Sequence, residues 1–358
     1  MRRLYLVGAG HAHLYVLNRL RRERLPGVEV SLLTPETVKF SREMAAGYIE
    51  GLYTKAQMGL DIGELAKQAG ANHIKAAVMS IDPLQKAVLT EKGGYLEYDV
   101  ISFDIGALTE ATDLPGVLTA AEMLRPNEKL PDALDRLIAA EQLVIAGDGD
   151  ACAEIAFALQ ARRMKEGKTP VRWIGGFNKG TAFRAFPPDA EQWAQDAGIL
   201  LHKNSRVRRA GGGKLETDNG AVHLYDRLLW IYPPRPHKLF RAALPVDSDG
   251  YLLVEKTLQV KSFPSVFGAG DCITVNRHSH IAHEGRYAVD EGPVLWKNLR
   301  GYFTDGEGRT FAPANAAYCF STGNKQAVLR RKRKVIRAGW VHRLKSYVDR
   351  TYVKKSSP

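Results

Sequence analysis

The sequence predicts an α/β protein with two Rossmann-like nucleotide-binding-type domains and a basic amphipathic segment at its C-terminal end. Three observations carry this expectation. An apolar run closing on Gly-x-Gly and followed by a helical pattern opens the chain, the same unit recurs after Glu141, and a later apolar run closes on Gly268-x-Gly270-Asp271. The 358 residues, 45% hydrophobic and 25% charged, lie in the ordinary range for globular proteins with room for two domains. No apolar run approaches the roughly 20 residues that cross a bilayer as a helix. The opening "MRRLYLVGAGHAHLYVL" imitates a signal peptide, but Gly8, Gly10, His11 and His13 interrupt its apolar core, so it reads as a first strand and turn.

In order, the first unit is strand Arg3 to Val7, helix Ala12 to Arg22 and strand Val28 to Leu33. A helical stretch (Leu60 to Ala69), short strands near Ala76 to Ser80 and Ala87 to Thr90, and the buried run Tyr98 to Ala107 ending in a glycine turn follow. The second unit is the apolar run Leu143 to Ala146, a helix through Ile155 to Arg163 and strand Val171 to Ile174. After Leu224 to Tyr232 the breaker "PPRP" leads back to "FPSVFGAGDCITV".

At the first turn, Gly8 and Gly10 bring backbone N–H groups and a helix N-terminus toward a nucleotide diphosphate, with His13 where a third glycine is usual. Thr34 or Glu36, after the second strand, can reach a ribose. Asp271 reads as an acceptor for a cofactor hydroxyl or, more plainly, as a helix cap. The turn "GDGDACAE" is at odds with an anionic ligand. Gly147, Gly149 and Glu154 suit a dinucleotide, but Cys152 replaces the third glycine and Asp148 and Asp150 add two carboxylates. Each repels a phosphate about 4 Å away by roughly 1 kcal/mol in water and about 4 kcal/mol at an effective dielectric near 20. Past strand Val171 to Ile174, Gly175-Gly176 occupies the place of a ribose-binding acid. Weak, altered or lost NAD(P)H binding is the expectation here.

The stretches "VGAGHAH", "FSREMAAGYIEGLYT", "AVMSIDP", "YDVISFDIGA", "FPSVFGAGD", "GRYAVDEGPVLWKNL" and "GWVHRLKSYVDRTYV" resemble the flavoproteins with two dinucleotide-binding domains. The likeness is to type II NADH dehydrogenase-like and selenide-water-dikinase-associated FAD oxidoreductases, with sulfide:quinone oxidoreductases as relatives. It implies a discontinuous FAD domain (1–108 and 235–302), an NAD(P)-binding-like domain (109–234) and a C-terminal membrane-contact segment (303–358). It implies FAD held by Gly8, Gly10, His11 and Ala12 at the diphosphate and by Thr34 near the adenosine ribose. Ser41 and Arg42 fall close to the flavin, the backbone at Val78 and from Asp104 to Gly106 around the adenine, Gly270 and Asp271 on the ribityl chain, and Glu284 and Gly285 near the isoalloxazine. Arg286, Asp290 and Glu291 lie in the stretch that faces quinone in relatives, although Asp290 and Glu291 depart from the expected Arg-Gln.

The implied activity is electron transfer from a reduced donor, NAD(P)H if the second turn binds it, through FAD to a quinone. A second reading follows from sulfide:quinone oxidoreductases, whose cysteine pair Cys319 and, two positions off, Cys152 resemble; burial as structural residues is the plainer alternative. A third is a non-catalytic flavoprotein sensor or scaffold. Cys152, Cys272 and Cys319 form no C-x-x-C pair, so neither a zinc site nor a disulfide framework is suggested. The net charge of +12 is concentrated between Lys325 and Lys355, which hold twelve Lys or Arg against Asp349 alone. From Ile336 onward, Ile336, Trp340, Val341, Leu344, Tyr347, Val348 and Tyr352 recur at helical spacing among basic residues. Residues 330–355 are thus expected on an anionic membrane surface, with the protein cytoplasmic and peripheral on the inner face of the cell membrane. No reading motif or stacking platform supports nucleic acid; a homodimer is one assembly open to it.

Overall fold

Alternation of β-rich apolar runs with helical segments leaves parallel strands buried on both faces, and two such sheets form. The computed structural model describes residues 1–110, 112–125, 127–177, 183–187, 189–278, 286–304, 306–313 and 317–357. In the first sheet Arg2–Val7 lies between Val28–Leu33 and Val100–Phe103, with Asn72–Ile74 outside the former and Phe263–Gly268 outside the latter, all parallel. Gln259–Val260 closes one edge antiparallel. The second sheet runs Ala121–Met123, Arg227–Ile231, Leu143–Gly147, Arg172–Ile174, Leu200–His202, again parallel. In each, the first strand of the glycine unit sits where the strand order reverses. That reversal opens a crevice beyond the carboxyl ends of the strands, the general ligand position in such sheets.

The first sheet therefore draws on residues 2–103 and 259–268, the second on 121–231. Antiparallel excursions are appended to each: Val78–Asp82 with Ala87–Thr90 and Tyr95–Glu97, and Val207–Gly211 with Lys214–Thr217 and Val222–Leu224. Helix His11–Leu20 buries Ala12, His13, Leu14, Val16, Leu17 and Leu20, packing against helix Arg286–Thr304. Gly292 permits that approach, since a Cβ there would lie 2.7 Å from the Tyr15 Cβ. Helix Gly149–Lys165 is buried along most of its length.

The C-terminal region departs from the expected continuous amphipathic segment. Ala317–Ser321, Ala327–Arg331 and Lys334–Ala338 form an antiparallel sheet, and only then does helix Gly339–Ser356 begin. Ile336 is thus a strand residue. The alternation from Lys334 to Ala338 pairs with Ala327–Arg331, a long-range ladder that local helical spacing does not register. The helix turns Val341, His342, Val353 and Ser356 inward and leaves Trp340, Leu344, Tyr347 and Val348 exposed. Among the described residues no helix is long and apolar enough to cross a membrane.

Candidate functional site: two glycine turns and the clusters between them

The first turn is crowded to the limit that glycine allows. Gly8 has φ +89°, and a Cβ there would run into the Asp104 carbonyl; a Cβ on Gly10 would overlap the Asp104 carboxylate. Asp104 follows strand Val100–Phe103, is 3% exposed, and its Oδ2 accepts from the N–H groups of Ala12 (2.9 Å) and His13 (3.0 Å). Gly10 N–H donates to the Asp104 carbonyl at 3.1 Å. Expected to contribute backbone, Asp104 thus caps the first helix with its side chain, reached across the sheet. His13, in the third-glycine place, neither splays the elements nor sits idle. Its Nδ1 lies 2.7 Å from the Gly8 carbonyl and its Nε2 2.9 Å from Ser102 Oγ, tying helix to strand, while burial pushes it below the ordinary histidine value.

Gly270 meets the same carboxylate from the other side: its φ is +74°, and an added Cβ would collide with Asp104 Oδ1. Its N–H donates to Glu291 Oε2 at 2.6 Å. Burial pushes Glu291 up to about 8, with the charges of Asp104, Asp271 and Asp290 adding to it. Glu291, expected on the quinone side, therefore faces the glycine turn. Asp290 Oδ2 is buried without a hydrogen-bond partner. Arg286 begins its helix, whereas Glu284 and Gly285 lie outside the described residues.

Asp271 is 4% exposed. Its Oδ2 faces Arg125 Nη2 at 3.4 Å and Arg42 Nη2 at 3.7 Å, and its Oδ1 is buried with no partner. Burial raises its carboxyl against the pull of both guanidiniums. The remaining expected cofactor residues surround this centre. Thr34 is buried, its N–H on the Ile74 carbonyl (3.2 Å); Ser41 Oγ donates to Glu43 Oε2 (2.9 Å); Gly106 has φ +69° and open space beside it; Val78 opens the first antiparallel excursion. His11 Nδ1 contacts the Tyr352 hydroxyl and its Nε2 lies 3.4 Å from Glu43 Oε1, so the closing helix reaches the first turn.

Sequence reasoning missed two cations here. Arg125, beyond the strand Ala121–Met123 of the second sheet, donates to the carbonyls of Ala107 (3.0 Å) and Leu108 (3.2 Å) as well as facing Asp271. Lys39 is 6% exposed with its Nζ 2.5 Å from the Ala9 carbonyl, inside the turn itself. The signal was present: a lone Lys between Val38 and Phe40, and an Asp closing "VISFD", are charges in apolar runs, which are rarely buried unless paired.

At the second turn the two aspartates separate. Asp150 points inward, accepting from the N–H groups of Arg184 (2.8 Å), Ala185 (3.0 Å) and Phe186 (3.2 Å). It anchors a loop rather than confronting a ligand. Asp148 is the N-cap residue of helix Gly149–Lys165. Gly147 (φ +146°) leaves no room for a Cβ against the Ile231 carbonyl, and Gly149 has φ +83°, so the glycine conformations of the turn are intact. Beyond strand Arg172–Ile174, the buried Phe177 stacks on Phe183 at 4.7 Å and tilts against Trp173 at 5.2 Å. Aromatic packing fills the neighbourhood where a ribose-binding acid was sought.

Glu154 faces the C-terminal region. Its Oε1 accepts from Ser321 N–H (2.7 Å) and lies 3.5 Å from Lys345 Nζ; burial pushes it up to about 7. Cys152 is wholly buried, and burial holds its thiol well above its ordinary value with Asp148 adding and Trp173 opposing. Burial pushes Cys319 up to about 12 despite Lys345. A sulfur nucleophile works as thiolate, and neither environment supplies one at neutral pH.

The geometry fits an FAD-type cofactor on two counts: glycines at the points where a diphosphate needs backbone approach, and an orphaned carboxylate oxygen aimed where a polyol hydroxyl would donate. The model for pyridine nucleotide-disulphide oxidoreductases matches residues 2–293. The chain is 25% identical over 323 residues to an NADH dehydrogenase-like protein of Mycobacterium tuberculosis, covering 80% of this chain and 79% of that one. In fold it is similar to the sulfide:quinone oxidoreductase of Aquifex aeolicus (TM-score 0.79, 15% identity, 100% of this chain and 92% of the other). It is equally similar to NDH2 of Plasmodium falciparum, solved with NADH (TM-score 0.79, 13% identity, 99% and 98%). Two parallel sheets with glycine turns at their switch points, and a family match that runs through both, establish that the chain belongs to the pyridine nucleotide-disulphide oxidoreductase family.

Proposed function

We propose that the protein is an FAD-dependent oxidoreductase, similar to type II NADH dehydrogenases, that carries electrons from a reduced donor to a quinone at a membrane surface. The observation that carries the flavin reading is Asp271 Oδ1, a buried acceptor with no partner between two guanidiniums. Leaving such an atom unsatisfied costs roughly 1–3 kcal/mol, more for a charged group, and a ribityl hydroxyl removes that cost. Gly8, Gly10, His11 and Ala12 would then hold the diphosphate, Thr34 the adenosine ribose, the backbone at Val78 and Asp104 to Gly106 the adenine side, and Ser41, Arg42 and Gly270 the flavin half. The bound flavin supplies the electron-accepting chemistry; the protein supplies position and charge.

NAD(P)H is the donor we assign, with the second turn as its seat. Asp150 is turned inward, so one carboxylate, not two, opposes the phosphates, and the repulsion weighed from the sequence is roughly halved. Asp290 and the start of helix Arg286–Thr304 are the acceptor-side candidates. The membrane is met by Trp340, Leu344, Tyr347 and Val348, an exposed i, i+4, i+7, i+8 stripe flanked by Arg343 and Lys354, together with the basic tip Arg331 to Lys334. Each basic residue near an anionic surface contributes about 1 kcal/mol.

The test is anaerobic mixing of the purified yellow protein with NADH, NADPH or sulfide, followed by a short-chain quinone. Flavin bleaching by a nicotinamide and its reversal by quinone is the expected result. A colourless protein that takes up no FAD would refute the flavin assignment. Bleaching by sulfide that is lost in Cys319→Ser would transfer the reading to sulfide oxidation, and a flavin that no donor bleaches would make the protein a sensor or scaffold.

A further inference from the structure

The first helix has already spent its N-terminal donors. Three N–H groups of its first turn, those of His11, Ala12 and His13, have no partner within the helix. Asp104 takes two of them, and a carboxylate now stands where a phosphate would ordinarily find donors and positive potential. A diphosphate arriving at this turn meets an anion 3% exposed, wedged between Gly10 and Gly270 and unable to withdraw. A seat built in this way needs a compensating cation at the same point.

The structure places one there. Lys39 rises from the strand Val38–Phe40, buries its side chain, and delivers Nζ to the carbonyl of Ala9, the middle residue of Gly8-Ala9-Gly10. An ammonium has three donors, and the Ala9 carbonyl uses one. We infer that Lys39 is a cofactor-binding residue whose ammonium holds the diphosphate at the first turn, replacing the helix donors that Asp104 occupies. The inference rests on the flavin reading of the site. The two charges are interdependent: Asp104 keeps Lys39 charged in the protein interior, and Lys39 offsets the repulsion between Asp104 and the ligand. Arg42 and Arg125 are directed at Asp271 instead, and His11 at Glu43 and Tyr352.

The experiment reads binding, not turnover. Flavin fluorescence of the full-length protein gives the dissociation constant of FAD, and competition gives those of ADP, which carries a diphosphate, and adenosine, which does not. Lys39→Met is expected to weaken FAD and ADP about 100-fold, as for loss of a charge-assisted hydrogen bond from a buried site. Adenosine should change less than two-fold, and Lys39→Arg should recover most of the loss. The double variant Lys39→Gln with Asp104→Asn removes both buried charges together, so it remains informative if the single variant does not fold. Its preference for ADP over adenosine should fall at least ten-fold from that of the parent. An unchanged ADP-to-adenosine preference in whichever variant folds overturns the assignment. A parent that binds no FAD defeats the flavin reading itself, whereas a flavin-binding parent with an unaffected Lys39 variant defeats only the role of Lys39.

Discussion

Replacing Lys345 by Met should loosen the closing helix, and more so in alkali than in acid. Lys345 Nζ lies 2.8 Å from Asp349 Oδ2, 3.5 Å from Glu154 Oε1 and 2.7 Å from the Glu43 carbonyl, in a pocket where these side chains are about a tenth exposed. Removing the only cation printed between the two carboxylates leaves uncompensated buried charge, which typically costs about 3–5 kcal/mol. At 1.4 kcal/mol per decade, amide exchange from residues 339–356 would accelerate roughly 10²- to 10³-fold near pH 8. Glu154 sets the pH dependence. Its carboxyl is raised from 4.5 to about 7 in the folded protein, so the fold binds its proton more tightly than the unfolded chain. The stability that Glu154 withdraws is nil below about pH 4.5, grows as the pH rises and is complete above about 7, where it reaches about 3 kcal/mol at 1.36 kcal/mol per unit. Asp349 is raised in the same sense by its burial, against Lys345. Without Lys345 both acids titrate higher still, so near pH 5.5 they are neutral and the variant should lose only about 1–2 kcal/mol. Hydrogen exchange at the two pH values, corrected for intrinsic rates, is the assay. Exchange within three-fold of the parent near pH 8, or equal acceleration at both values, would show that the cluster is solvated and the reasoning wrong.

Gly10→Ala drives a methyl group into the Asp104 carboxylate; we expect a loss of about 1–3 kcal/mol, read as a lower melting temperature together with a reduced flavin-to-protein ratio. Cys319→Ser should leave donor-driven flavin bleaching within two-fold, because the thiol is held up at about 12 and is protonated at neutral pH; abolished bleaching would restore the sulfur chemistry. Asp150→Ala releases three backbone N–H groups and should destabilise the protein by about 1–3 kcal/mol while leaving the dissociation constant for NADH within three-fold. Substituting Trp340, Leu344, Tyr347 and Val348 by Ser should abolish sedimentation with anionic vesicles at unchanged melting temperature; retained sedimentation would remove the helix face from the membrane model.

The architecture was readable because its signals are local. Apolar runs ending in Gly8, Gly147 and Gly268 mark strands that pass into tight turns, and all three are strands of the two parallel sheets. What escaped were relationships that only the fold creates. Asp104 and Ala12 are 92 positions apart, and no spacing announces that one caps the helix of the other. The same holds for Asp150, whose inward turn depends on a loop 34 to 36 residues later, and for Arg125 crossing to Asp271. Ile336 was misassigned because its sequence neighbours carry helical spacing while its ladder partner Leu329 lies across a hairpin.

The order in which the pocket's parts are made has a consequence for biogenesis. Its first turn emerges from the ribosome with residue 8, yet Asp271, the strand beside it and the helix that supplies Glu291 come more than 250 residues later, and Tyr352 later still. Throughout synthesis the half-built crevice exposes the apolar flank of Val100–Phe103 that Phe263–Gly268 will cover. A cell short of flavin, or one in which translation stalls before that strand, would accumulate an aggregation-prone nascent chain.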